Sequence, residues 1–115
     1  MDAVDVLLKC LKKKRIINDI AKAKNEVIVD NITLKNPKDL FIRDAIFGLG
    51  TILVEDLENH YYISSIKTGI FGSVLTYAVI IRQDAQAQIA VYAHEGMIKQ
   101  NLANKTIENL KKVLC

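Results

Sequence analysis

The first 24 residues carry apolar positions at helical spacing, but not on a single stripe. One helix side carries Val4, Leu7, Leu8 and Leu11, and the opposite side carries Ile16, Ile17 and Ile20. A basic run at residues 12–15 separates the two groups. We therefore predict a helical segment over residues 2–24 that either breaks near this run or contacts two different surfaces. The second option leaves one stripe for a partner chain.

The apolar pattern changes to a period of two between residues 26 and 94, which is typical of strands. Seven candidate strands follow from it: 26–30, 32–36, 40–47, 51–57, 61–67, 74–82 and 86–94. Short stretches rich in Asn, Asp and Gly separate most of them, including a turn at Asp30-Asn31. This punctuation favours an antiparallel meander.

Residues 74–82 are apolar on both faces of the predicted strand. One face carries Val74, Ala78 and Ile80, and the other carries Leu75, Val79 and Ile81. Such a strand is covered on both sides, by the core on one and by a helix or another subunit on the other. The surrounding apolar stretch is not a membrane helix, because its uninterrupted part spans only residues 69–81 and about 20 apolar residues are needed.

Residues 97–114 predict an amphipathic helix. Its apolar face consists of Leu102, Ala103, Ile107, Leu110, Val113 and Leu114. Together these patterns predict one α+β domain over residues 1–115. We expect an antiparallel meander sheet or partly open barrel of about seven strands over residues 26–94. An N-terminal helical segment (2–24) precedes it and the C-terminal helix follows.

Seven short antiparallel strands followed by one amphipathic helix is the element order of the pleckstrin-homology-like fold. Residues 40–72 resemble the small bacterial members, in which an I-x-x-I pair and a Gly-containing turn precede a long strand. Here these residues are Ile63, Ile66, Gly69 and Gly72. Residues 97–114 are similar to the closing helix of those members. The resemblance implies ring-like or dimeric self-assembly. It does not imply lipid-headgroup binding, because the turn at residues 30–31 lacks basic side chains and the helix lacks Trp.

Positive charge is concentrated at the N-terminus. The net charge of the chain is +3; residues 1–24 carry seven basic against three acidic side chains, and the remainder nine against ten. The basic segment 9–24 offers contacts to phosphate groups. No aromatic residues interleave its lysines, so stacking on single-stranded bases is unsupported. Binding of nucleic acid or an anionic membrane surface is therefore the first alternative function.

Two short strings contain residue types found at catalytic and metal sites. The string HEG at residues 94–96 offers an acid/base pair, but neighbouring residues of an extended segment point to opposite faces. Asp56, Glu58 and His60 would share one face of a strand and offer cation ligands. In a hairpin turn the same three residues would not converge. A small enzyme using His94 or this acidic set is therefore a further alternative.

Cysteine and glycine spacing adds no site. Cys10 and Cys115 lie at opposite ends of the chain and form neither a disulfide framework nor a metal-ligand spacing. Cys10 as a nucleophile would need a positioned base, and no histidine is tied to it by sequence. The glycines at 48–50 and 69–72 match no phosphate-binding or dinucleotide motif. We expect no metal and no cofactor.

The leading hypothesis is a non-catalytic module that self-associates or binds another protein. The split stripe, the strand apolar on both faces and the lack of a converging reactive set support it, because exposed apolar surface on a small chain tends to be an interface. The candidate contact residues are Lys12, Lys13, Lys14, Arg15, Ile16, Ile17 and Ile20. We expect the cytoplasm, because the charges follow the first apolar run, the reverse of a secretory signal.

Overall fold

A computed structural model describes residues 2–69, 72, 74–95 and 100–115. The elements in these residues are α1 (Ala3–Lys13), α2 (Ile20–Ala23), β1 (Val27–Thr33), α3 (Asp39–Phe47), β2 (Gly50–Asp56), β3 (Tyr61–Thr68), β4 (Val74–Gln83), β5 (Gln86–Tyr92) and α4 (Leu102–Leu114). A 3₁₀ turn over Lys24–Glu26 joins α2 to β1. Within these ranges no helix is both long enough and apolar enough to cross a membrane.

The strands form one antiparallel sheet in the order β1-β5-β4-β3-β2. Strands β2 to β5 follow one another as a meander, and β1 pairs with β5. The sheet is open, with β1 and β2 as its edges. The predicted α+β class and antiparallel sheet are confirmed. The prediction of about seven strands is wrong, and the alternative of a partly open barrel is not formed.

The predicted strand 40–47 is helix α3. Ile42 and Ile46, four residues apart, are inaccessible to solvent, whereas Leu40 and Phe47 are 68% and 70% exposed. A short apolar run fits both the strand and the helix period. Here a proline before the run and a glycine after it mark helix ends, and the helix period is the one that buries the two isoleucines.

The predicted strands 26–30 and 32–36 form the single strand β1. Asp30 and Asn31, expected as a turn, pair with Ile89 and Gln88 of β5. The Asp30 carboxylate accepts from the backbone N–H of Asn31 at 2.8 Å and lies 2.7 Å from Nζ of Lys111 in α4. These contacts give the Asp30 side chain its partners while the backbone stays extended.

The N-terminal segment breaks after α1, which was one of the two predicted options. Arg15 has φ 61°, and the N–H groups of Ile16 and Ile17 both donate to the carbonyl of Leu11, at 2.9 and 3.4 Å. The chain therefore folds back, and Ile17 joins the same apolar cluster as Leu11. Ile20 packs against this cluster too. Ile17 and Ile20 of the second stripe therefore share one core with the first stripe, whereas Ile16 is exposed.

Helices cover both faces of the sheet. Helices α3 and α4 lie on one face, the α3/α4 face, and α1 lies on the other, the α1 face. Strand β4 contributes to both cores: Ala78 and Ile80 face α3 and α4, whereas Val79 and Ile81 face α1. All four are at most 3% exposed. The prediction that residues 74–82 are covered on both sides holds for residues 78–81, which helices of this same chain cover, but it is wrong for Leu75, which is 48% exposed.

Helix α4 begins at Leu102, later than predicted. Residues 97–99 of the predicted helix lie outside the described residues, and Gln100 and Asn101 precede the helix. The Glu95 carboxylate accepts from the N–H groups of Gln100 at 3.0 Å and Leu102 at 2.6 Å. It thereby satisfies a backbone donor of the first turn, which has no partner within the helix. The predicted apolar face of the helix is buried, apart from the partly buried Val113.

Candidate interaction surface

An apolar groove of about 610 Å³ lies on the α1 face, between α1 and strands β2 and β3. Its lining residues are Val6, Lys9, Cys10, Lys13, Lys14, Val54, Tyr61 and Ile63. The floor comes from the strands and one wall from the side of α1. We call this feature the α1–β2 groove. It contains two of the predicted contact residues, Lys13 and Lys14.

The floor of the α1–β2 groove depends on a β-bulge in β2. The pairing of β2 with β3 shifts between Ile52 and Val54, so one extra residue, Leu53, lies in β2. Ile52 packs against the α3/α4 core, and Val54 packs against the α1 core. Without the bulge, residues two apart would share one face. The bulge therefore brings Val54 beside its partner Ile63 on the groove floor.

The α1 wall of the groove is basic. Lys9, Lys13 and Lys14 are exposed, and none of them makes an ion pair within the described part of the chain. Burial raises the pKa of the Cys10 thiol, and the nearby charges of Lys14 and Lys13 partly offset this rise. Burial and the Asp56 carboxylate raise the pKa of Tyr61. At neutral pH the groove therefore holds a protonated thiol and a protonated phenol beside the three lysine side chains.

The other predicted contact residues lie elsewhere. Lys12 and Arg15 are exposed but do not line the α1–β2 groove. Ile16 and Ile17 line a second groove of about 560 Å³ that also includes Tyr77 and Tyr92. This second groove is more polar, with Asp19, Lys22, Glu26 and His94 among its lining residues. Contact of the basic segment with nucleic acid or an anionic membrane stays a prediction.

The histidine string at residues 94–96 is not assembled into a reactive pair. His94 is 73% exposed in its side chain, and its Nδ1 lies 3.2 Å from Glu26 Oε2. Glu95 uses its carboxylate to cap α4, as described above. Gly96 lies outside the described residues. The two side chains therefore serve different contacts.

The predicted cation set also does not converge. The Asp56 carboxylate accepts from the backbone N–H and the side-chain amide of Asn59, at 3.0 and 2.9 Å, and so closes the turn between β2 and β3. These hydrogen bonds lower its pKa. Glu58 is exposed, and the His60 ring contacts Arg82 instead. No group of three or more acidic, histidine or cysteine side chains within the described ranges could hold a metal ion.

A polar cluster that the sequence did not predict joins α3 to β3 and β4. The Tyr62 hydroxyl donates to Asp39 Oδ1 at 2.7 Å, and Arg82 Nε lies 3.7 Å from the same oxygen. Arg82 Nη2 donates to Nδ1 of His60 at 2.8 Å. Because arginine can only donate, Nδ1 of His60 is the acceptor in this contact. Burial and the Asp39 carboxylate raise the pKa of Tyr62 well above its ordinary range. The cluster anchors the start of α3 to the sheet.

Comparison with known proteins adds no family. No protein-family model matches the chain, and no curated protein and no solved structure matches it significantly. The resemblance to pleckstrin-homology-like domains therefore stays a prediction.

Proposed function

We propose that this protein is a non-catalytic protein-interaction module and that the α1–β2 groove is its binding surface. The observation that carries the proposal is the incomplete helical cover of the α1 face. Apolar floor residues next to an unpaired row of lysines make this groove more suited to a protein partner than to a reaction.

The width of the sheet supports this reading of the groove. Strands in a sheet lie about 4.8 Å apart, so the axes of the two edge strands are roughly 19 Å apart. A helix with its side chains is about 10 Å wide, and two helices are needed to cover such a sheet. The α3/α4 face has two long helices, whereas the α1 face has one long helix and the four-residue α2. On the floor over β2 and β3, Val54 and Tyr61 are only partly buried, whereas Ile63 is covered.

The proposed non-catalytic role is supported by what the candidate groups do within the described residues. Glu95 caps a helix, Asp56 closes a turn, and Tyr62 and Arg82 bind Asp39. Catalytic groups should point together into a concave pocket where a substrate atom can sit. These side chains contact groups of their own fold, and none of them lines the groove.

Site-specific photo-crosslinking tests this proposal. A benzophenone side chain is placed at Val54, on the floor of the groove, and in a matched variant at Leu57, which is 52% exposed in the neighbouring turn. Irradiation in the cells that produce the protein should give a discrete adduct with another protein from position 54 only. Equal background from both positions would contradict the proposal.

Self-association is a second candidate, favoured by the outer face of α3. Leu40 and Phe47 lie two turns apart on this helix and are 68% and 70% exposed. Apolar side chains that are so exposed on one helix face are suited to a contact between two copies. Light scattering after size exclusion should then show a dimer that Leu40→Lys with Phe47→Lys converts to a monomer. A wild-type monomer at high concentration would end this candidate.

A further inference from the structure

We propose that the α1–β2 groove binds an amphipathic helix of a partner protein, and that acidic side chains of this helix face Lys9, Lys13 and Lys14. The proposal rests on the proposed function, because it assumes that the groove is the binding surface. It adds the secondary structure of the partner segment and the sign of its charge.

The shape of the groove suits a helix lying alongside α1. The wall presents Val6 and Cys10, one helical turn apart, and the floor presents Val54 and Tyr61 from neighbouring strands. On the opposite face of the same sheet, α3 and α4 lie side by side in contact with each other. Helices packed in this way lie about 8–10 Å apart. A helix at that distance from α1 would lie over β2 and β3.

The charge of the wall determines the charge of the partner. Lys9 and Lys13 are four residues apart, so they lie on the same side of α1, and Lys14 adjoins them. No acidic side chain is among the residues that line the groove, and the three lysines make no ion pair within the described residues. A partner helix with acidic residues beside its apolar stripe would complement this wall, and such complementarity sets partner choice and association rate.

Two other occupants fit less well. Sites for small apolar ligands enclose about 70–90% of the ligand surface, whereas this groove is bounded by one helix and the sheet floor. An extended peptide added to the outer edge of β2 would form backbone hydrogen bonds. It would lie on the far side of β2 from α1, and its side chains would not neutralise the lysine wall.

The test uses full-length protein and two synthetic helical peptides of about 18 residues, stapled because short helices are marginal in water. Both carry leucines at i, i+4 and i+7; one has glutamates beside this stripe, and the matched peptide has lysines there. NMR titration should shift signals of Val6, Cys10, Val54 and Tyr61 with the glutamate peptide. The lysine peptide should bind at least about tenfold more weakly, which corresponds to about 1.4 kcal/mol.

Charge reversal in the protein provides the matched control. Lys9→Glu with Lys13→Glu and Lys14→Glu should invert the preference between the two peptides. Lys12→Glu with Lys38→Glu and Lys112→Glu changes the net charge equally at exposed sites outside the groove and should leave it unchanged.

Dodecanoate, a fatty acid, is titrated in the same way as a probe for a small apolar ligand. Three outcomes overturn the inference: no binding of the glutamate peptide at millimolar concentration, equal binding of both peptides, or binding of dodecanoate but of neither peptide. If crosslinking from Val54 succeeds while any of these occurs, the proposed function stands and only the acidic-helix partner is rejected. If the crosslink joins two copies of this chain at the groove, the partner is a second copy and the inference is also overturned.

Discussion

Three buried threonine hydroxyls join α4 to strands β3 and β4. Thr68 is 4% exposed, and Thr76 and Thr106 are fully buried. The Oγ1 of Thr106 lies 2.8 Å from that of Thr68 and 2.7 Å from that of Thr76, and it donates to the carbonyl of Leu102 at 3.0 Å. Either oxygen can be the donor in each of the two hydrogen bonds between hydroxyls, and when Thr106 donates its own proton to Leu102 it is the shared acceptor of the other two hydroxyls.

The substitution Thr106→Val keeps the side-chain shape and removes this shared acceptor. Thr76 can donate instead to the carbonyl of Ile66 at 3.2 Å, whereas Thr68 is left with the Thr76 oxygen at 3.4 Å. A buried donor without a good partner costs about 1–3 kcal/mol. We therefore expect the free energy of unfolding to fall by about 2 kcal/mol, and Tm to fall by roughly 6–10 °C in a chain of this size.

Replacing all three threonines by valine should be much less harmful than the single change, because no hydroxyl is then left without a partner. Urea unfolding followed by far-UV circular dichroism measures both variants, since the chain has no Trp to report by fluorescence. Thr51→Val, at an exposed position of β2, is the control and should change stability by less than about 0.5 kcal/mol. A triple variant that is at least as destabilised as Thr106→Val would refute the reasoning.

Four further predictions follow from single contacts. Because burial raises the pKa of Cys10 above its ordinary value of 9.0, its alkylation rate should still climb above pH 9, and a plateau below pH 8 would contradict this. Hydrogen bonds from Lys111 and the Asn31 N–H lower the pKa of the Asp30 carboxyl below its ordinary value of 3.8. The ionised carboxylate therefore stabilises the fold above pH 3.8, and this stabilisation is lost as the pH falls through the lowered pKa. The Asp30→Asn variant should therefore be less stable than the wild type at pH 7 and should lose less stability on acidification. Acid unfolding followed by circular dichroism measures this, and wild-type and variant curves of the same shape would argue against it. Glu95→Ala removes the cap of α4 and should lower the free energy of unfolding by about 1 kcal/mol, with Glu95→Gln less affected; equal losses in urea titrations would be inconsistent with capping. A Cβ at Gly50 would overlap the carbonyl of Ser65, so Gly50→Ala should shift β2 from β3 and lower Tm, and an unchanged Tm would show that the strands adapt.

Local patterns predicted part of this fold. The apolar stripe of α1, the face of α4 and the two-sided burial of residues 78–81 in β4 depend on contacts that recur at a fixed spacing, so the sequence predicts them. The run at 40–47 is short enough to satisfy both the strand and the helix period. The choice between them depends on which side chains reach the core, here Ile42 and Ile46. That is a property of the whole fold.

The site was less predictable than the fold. Val6, Val54 and Tyr61 come together only because β2 bulges and packs at the edge of the sheet beside α1. The polar cluster likewise joins Asp39, Tyr62 and Arg82 from three elements. No short motif contains these residues, because they come from different helices and strands that only the folded chain brings together. Only the lysines of the groove gave a sequence signal, as part of the basic run in residues 9–24.

The most direct test of the central claim is the protection of Cys10 by a partner. Cys10 lines the α1–β2 groove, and Cys115→Ser removes the other thiol. Its alkylation at pH 8.5 is compared between the purified protein and the protein in lysate of the cells that produce it, with Leu57→Cys in a Cys10→Ser background as the control outside the groove. If the groove is the binding surface, Cys10 reacts several-fold more slowly in lysate while residue 57 keeps its rate. Equal rates for Cys10 in both conditions would contradict the account.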